Sequence, residues 1–197
     1  DLALCRLMTL ESTTGNIAPE RVQEALANLA KVEPGSAIGE WLAARANWKW
    51  YEKNQAQEAG RGYRDSAVRH AREAARLDPK NAAFWYQIYE FSKDAEEDAI
   101  RDEGLQALNT AFQLTPGNVR LALDWLVARV TAKAAAVAKA LPDLRKTLEP
   151  MVSGVKRRTN TNILDFLDRL TKGVEEQQWG AARGAATAIR NFLISEE

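Results

Sequence analysis

Apolar residues recur along the chain at steps of three and four, the spacing that lines one face of an α-helix. One such stripe is Val22, Leu26, Leu29 and Ala30; a second is Ala67, Ala71, Ala74 and Ala75; a third is Gly104, Leu108, Ala111 and Phe112. Each runs into a proline mark: Val32-Glu33-Pro34-Gly35-Ser36, Leu77-Asp78-Pro79-Lys80-Asn81 and Leu114-Thr115-Pro116-Gly117-Asn118. Proline cannot continue a helix, so the preceding helix stops there. Ser36, Asn81 and Asn118 then stand where an N-cap is needed, their side chains accepting from the free N–H groups of the next helix. Helices joined by so few residues pack antiparallel. Strand signals are nearly lacking.

A bulkier helix follows each mark. After Ser36 come Trp41, Ala44, Arg45 and Trp48; after Asn81, Trp85, Ile88, Tyr89 and Ser92; after Asn118, Ala122, Trp125, Leu126 and Arg129. A large ring on the leading helix facing small residues on the trailing one is a packing solution, knob against hollow. The tail repeats the order. Ile163, Leu164, Phe166, Leu167 and Leu170 form an apolar stripe; after a turn near Gly173 to Gly180, Ala181, Ala182, Ala185, Ala186 and Ile189 form a small-residue face. Three irregularities are expected. Residues 54–62, with Gly60 and Gly62, lengthen the turn inside the first full hairpin and suit a flexible tip. Residues 94–98 lengthen the next hairpin slightly. Pro142 should break its helix or open a new short one at Asp143, after a helical stretch from Ala132 to Ala140.

These residues resemble the tetratricopeptide (TPR) repeat, whose pattern W-x2-L-G-x2-Y, A-x3-F-x2-A, P spans about 34 residues. Trp41 and Trp85 match its Trp and Trp48 its Tyr. Ala67, Ala71 and Ala74 match the small positions, and Pro79 the closing Pro. Gly104, Leu108, Ala111 and Pro116 fall at the same offsets. The match covers residues 37–116 and weakens on either side. The resemblance implies an all-α fold, an α–α superhelix: a solenoid of antiparallel hairpins with about ten helices. A single repeat domain would fill residues 1–197, in units 1–34, 36–79, 81–116, 118–154 and 159–197. It also implies a groove for a peptide along the leading helices. By offset that face holds Leu42, Ala46, Lys49 and Trp50, then Ala83, Tyr86, Glu90 and Lys93, then Leu123 and Val127. The carboxylate clamp of chaperone-binding members is not reproduced, because Leu42 and Ala46 stand where a Lys and an Asn are needed.

Composition narrows the function. The chain has 197 residues, with 27 Lys+Arg balanced by 27 Asp+Glu. A net charge of zero provides no general field toward nucleic acid or an anionic membrane. No apolar run approaches the roughly 18 residues of a membrane span, and the start lacks the basic and apolar regions of a signal peptide. It also lacks an initiator Met, so a segment of a longer or processed chain is expected. The single cysteine, Cys5, fits a reducing compartment such as the cytoplasm.

Candidate chemistry is sparse. His70 is the only histidine and falls in a different repeat from Cys5, which argues against a nucleophilic pair; it is expected at the surface or partly covered. One Cys and one His cannot build a zinc site. Glu96-Glu97-Asp98 lacks the spacing of a calcium loop and suits a helix start, where carboxylates complement the dipole. Asp165 and Asp168 share a helix face but read as exposed residues opposite the Phe166/Leu167 stripe. Gly60-Arg61-Gly62 is too short for a dinucleotide fingerprint. Lys156-Arg157-Arg158 reads as a solvated loop. Of six tryptophans, Trp41, Trp48, Trp85 and Trp125 read as core. Trp50 lies about 200° around the helix from Trp48, toward the concave side or under the 54–62 turn. Trp179 reads as a staple or an exposed anchor.

The expected function is therefore a non-enzymatic scaffold that binds a protein or peptide, with no cofactor, no metal, no nucleic acid and no membrane insertion. The alternatives are a regulatory or accessory helical domain of a larger enzyme or of a secretion or assembly system, and a closed helical bundle holding a small ligand.

Overall fold

The computed structural model describes residues 24–25, 27–28, 31, 34–56, 58–95, 97–133, 136–154 and 163–194. Among them are eight α-helices with defined bounds and no strand. The chain is all-α, with eight such helices where about ten were expected. The stripe before Pro34 (Val22, Leu26, Leu29, Ala30), Cys5 and the basic run Lys156–Arg158 lie outside the described residues or their side chains.

The helices are α1 (Ala37–Asn54), α2 (Glu58–Leu77), α3 (Ala82–Ser92), α4 (Asp98–Leu114), α5 (Val119–Thr131), α6 (Ala136–Gly154), α7 (Ile163–Glu175) and α8 (Trp179–Ile194). Three begin where the polar marks predict. Ser36 Oγ accepts from Gly39 N–H at 3.3 Å, Asn81 Oδ1 from Ala83 N–H at 3.1 Å, and Asn118 Oδ1 from Leu121 N–H at 3.1 Å. Each satisfies one donor that the helix itself leaves open, a gain of about 1 kcal/mol. The chain falls into two compact units, Asp1–Leu114 and Thr115–Glu197.

In the N-terminal unit α1 packs on α2, α2 on α3 and α3 on α4. The core joins Ala44, the stripe Ala67, Ala71, Ala74 and Ala75, and Phe84, Ile88 and Phe91, with Trp41, Trp48 and Trp85 packed against it. This is the ring-on-alanine packing read from the sequence, with two additions. Phe84 and Phe91 are buried while Trp85 and Tyr89 are only half-buried, so α3 is rotated by about one residue from the expected face. The two leading helices also touch directly. Trp48 stacks on Phe91, ring centroids 4.4 Å apart, and Trp41 lies 6.4 Å from Phe84.

The long turn expected over 54–62 is not formed. α1 ends at Asn54 and α2 begins at Glu58, so Gly60 and Gly62 lie in its first turns. Gly60 is buried, and a Cβ there would overlap the carbonyl oxygen of Asn54. The glycine serves close approach of two helix ends rather than a flexible tip.

In the C-terminal unit the contacts close on themselves: α5 packs on α6, α6 on α7, α7 on α8, and α8 back on α5. Buried Val137, Leu141 and Leu144 of α6, Leu167, Leu170 and Val174 of α7, and Ala182, Ala185, Ala186 and Ile189 of α8 line the inward faces. The helix expected to break at Pro142 runs through it. Pro142 is exposed, as is Ala138, whose carbonyl it leaves without its helical donor, while Val137, Leu141 and Leu144 are buried on both flanks. Asp165 and Asp168 are exposed, as read, and Asp168 accepts from Arg145 at 2.9 Å. Gly173 lies inside α7; the turn itself is residues 176–178. Among the described residues, Lys133 after α5 (φ 52°) and Gln177 after α7 (φ 55°) close helices with left-handed backbone.

Candidate partner-binding surface

The leading helix α3 carries the most complete surface. Phe84, Ile88 and Phe91 turn to the core. Ala83, Tyr86, Glu90 and Lys93 follow at steps of three, four and three on the opposite side, so they share one outward face. Ala83 and Lys93 are exposed, Tyr86 and Glu90 half-buried. The Tyr86 and Tyr89 rings sit 6.0 Å apart and tilted by 40°. Lys93 Nζ donates to Glu90 Oε1 at 3.1 Å. Two phenols beside an ion pair make an amphipathic patch that offers aromatic area and both donors and acceptors.

The other residues expected on this face are placed differently. Leu42 and Trp50 of α1 are buried. The Trp50 ring lies 5.6 Å from that of Tyr63, on the first turns of α2, which Gly60 allows to come close. Of the two places open to Trp50, the structure selects the one under the α1–α2 connection. Lys49 and Ala46 are half-buried. In α5, Leu123 is fully buried and Val127 half-buried. Leu121 to Leu126 are all buried, and six consecutive residues go more than once around a helix, so this stretch has no open face. Carrying offsets from one repeat to the next assumes that every leading helix leaves the same side uncovered, and α1 and α5 do not. Leu42, Trp50 and Leu123 are therefore core residues rather than surface.

Other polar groups serve the fold. His70 Nδ1 lies 2.6 Å from Glu40 Oε2 and joins α2 to α1, its side chain 25% exposed, which agrees with a partly covered position. Trp85 Nε1 donates to the Pro79 carbonyl at 2.9 Å and Trp48 Nε1 to Glu52 Oε1 at 2.9 Å. Trp125 is buried, and Trp179 is half-buried at the start of α8. Two features escaped the sequence reading. One is Asp124, buried and bonded to Arg190. The other is a line of arginines along α2, visible in retrospect as Arg at helical steps from 61 to 76. No described helix is long and apolar enough to cross a membrane. Comparison with protein-family models, with curated proteins and with solved structures found no match to this chain.

Proposed function

We propose that this chain is a protein-interaction scaffold of the tetratricopeptide type, without catalytic activity of its own, that holds a peptide or protein partner on the outward face of α3. The supporting observation is the alignment of Ala83, Tyr86, Glu90 and Lys93 on that face, clear of the core. Two further facts favour a hairpin stack for residues 36–114. Leading helices touch through Trp41/Phe84 and Trp48/Phe91, and trailing helices are bridged by Arg72–Glu103, with Arg64 paired to Glu97 just before α4. A superhelical array follows from repeating that step. Residues 115–197 favour a second reading for their own part, a closed four-helix group, because α8 packs back on α5. On this reading the partner is neither nucleic acid nor membrane, and the setting is cytoplasmic.

Site-specific photo-crosslinking tests the proposal. A photoreactive residue at Tyr86 or Lys93 should yield an adduct of one discrete mass in an extract of the source cells. The same residue at exposed Lys146 or Arg183 should not. Equal labelling from all four positions would reject α3 as the docking face.

A further inference from the structure

Helix α2 carries five arginines, Arg61, Arg64, Arg69, Arg72 and Arg76, and no lysine. Its inner side is the alanine stripe of the core. Arg61, Asp65, Arg69, Arg72 and Arg76 follow at steps of four, four, three and four and form a single exposed line on the other side. Four cations share that line with one carboxylate. Two of them already grip carboxylates with both arms of the guanidinium. Arg72 donates through Nε to Glu103 Oε1 at 2.6 Å and through Nη2 to Oε2. Arg76 donates to both oxygens of Glu73, at 2.7 and 2.5 Å. Arg69 has no ion-paired partner among the described residues, and Arg61 acts on Glu97 only at longer range.

We propose that this arginine line docks an extended acidic polypeptide segment with carboxylates at alternate residues. The spacing fits. Arg69, Arg72 and Arg76 rise in steps of about 4.5 and 6 Å along the helix, close to the about 6.6 Å between alternate side chains on one side of an extended strand; Arg61 stands about 12 Å before Arg69, with Asp65 between them. Arginine suits the role because its planar fork takes a carboxylate in two bonds, whereas lysine offers a point charge. The internal partners Glu73 and Glu103 do not block it. Exposed pairs are worth about 0–1 kcal/mol each, and a ligand presenting several linked carboxylates displaces them one at a time. The line lies on a trailing helix, so it is independent of the α3 face.

Fluorescence anisotropy of a labelled synthetic peptide alternating Glu and Ser, titrated with the 197-residue chain, tests this. Binding is expected, weakening steeply as salt rises. Arg69→Glu with Arg76→Glu should weaken it by roughly 10-fold or more, with the helical circular dichroism unchanged because both side chains are exposed. Arg69→Lys with Arg76→Lys keeps the charge and should still lower affinity several-fold. A peptide alternating Gln and Ser should not bind. The proposal is overturned if the Glu variants bind as the parent does, if the Gln peptide binds equally, or if an RNA oligomer of equal charge binds tighter than the acidic peptide.

Discussion

Arg190 of α8 donates through Nε to Oδ1 of Asp124 on α5 at 2.5 Å, bringing together residues 66 apart in sequence. Asp124 is buried, as are Leu121, Ala122, Leu123, Trp125 and Leu126 of the same helix, while Arg190 keeps about a third of its side chain exposed. A buried ionised carboxylate is costly unless a cation answers it. Arg190→Met should therefore destabilise the C-terminal unit by about 2 kcal/mol, below the usual loss for a fully buried pair because the arginine is partly solvated. Replacing both partners, Asp124→Leu with Arg190→Met, should recover most of that loss. Urea unfolding of the three variants measures it. A double variant as unstable as Arg190→Met alone would mean that the pair stabilises in its own right.

Gly60 sets two effects of opposite sign against each other. Alanine is favoured over glycine inside a helix by about 1 kcal/mol, which alone would make Gly60→Ala stabilising. The added Cβ would, however, overlap the carbonyl oxygen of Asn54 and crowd its carbonyl carbon, and backbone cannot rotate aside as a flexible side chain can. Overpacking of this kind costs about 1–3 kcal/mol. A net loss of about 1 kcal/mol is expected, read as a lower melting temperature. Gly62→Ala, where the new Cβ meets nothing within 4 Å, should show the propensity gain by itself.

Ser92 presents the reverse case. It is fully buried, and its hydroxyl has no hydrogen-bond partner among the described residues. Its Cβ faces the bare Cα of Gly104, where helices α3 and α4 approach closely. Removing an unsatisfied hydroxyl while keeping the Cβ should stabilise by about 1 kcal/mol. Chemical denaturation of Ser92→Ala checks this, and a destabilised variant would reveal a bond to that oxygen in solution.

The turns and the alanine faces were legible because their causes are local. Ser36, Asn81 and Asn118 cap the helices they precede, and Ala67, Ala71, Ala74 and Ala75 form the expected hollow. What depends on neighbours was not. On α3 both the Trp85/Ile88/Tyr89/Ser92 set and the Phe84/Ile88/Phe91 set have helical period. The second is buried throughout, while in the first Ile88 and Ser92 are buried, Tyr89 is half-buried, and Trp85 is half-buried with its N–H on the Pro79 carbonyl. Pro142 was read as a break because propensity ignores the three apolar anchors around it. Tyr86 and Glu90 are half-buried and Lys93 exposed, whereas Leu42, Trp50 and Leu123 are buried. Periodicity tells which face of a helix is apolar; it does not tell which elements cover the remaining ones.

Two carboxylates on the N-terminal unit should make its stability depend on acid. Glu97 accepts a hydrogen bond from its own backbone N–H and another from Arg64 at 3.3 Å, and both hold it below the ordinary 4.5. Glu73 is held down in the same direction by its bonds to Arg76. A carboxylate whose pKa is lower folded than unfolded binds fewer protons in the native state, so it stabilises above the unfolded value and loses that contribution as pH falls through the folded one. Stability should thus be level above about pH 5 and decline below the ordinary 4.5. The decline should be shallower in Glu97→Gln, which has no proton to take up. Carbon-detected NMR titration should place the Glu97 midpoint below that of an unstructured glutamate, and Arg64→Ala should move it only part of the way back, because the backbone bond remains. A midpoint at the unstructured value would show that neither bond persists in solution.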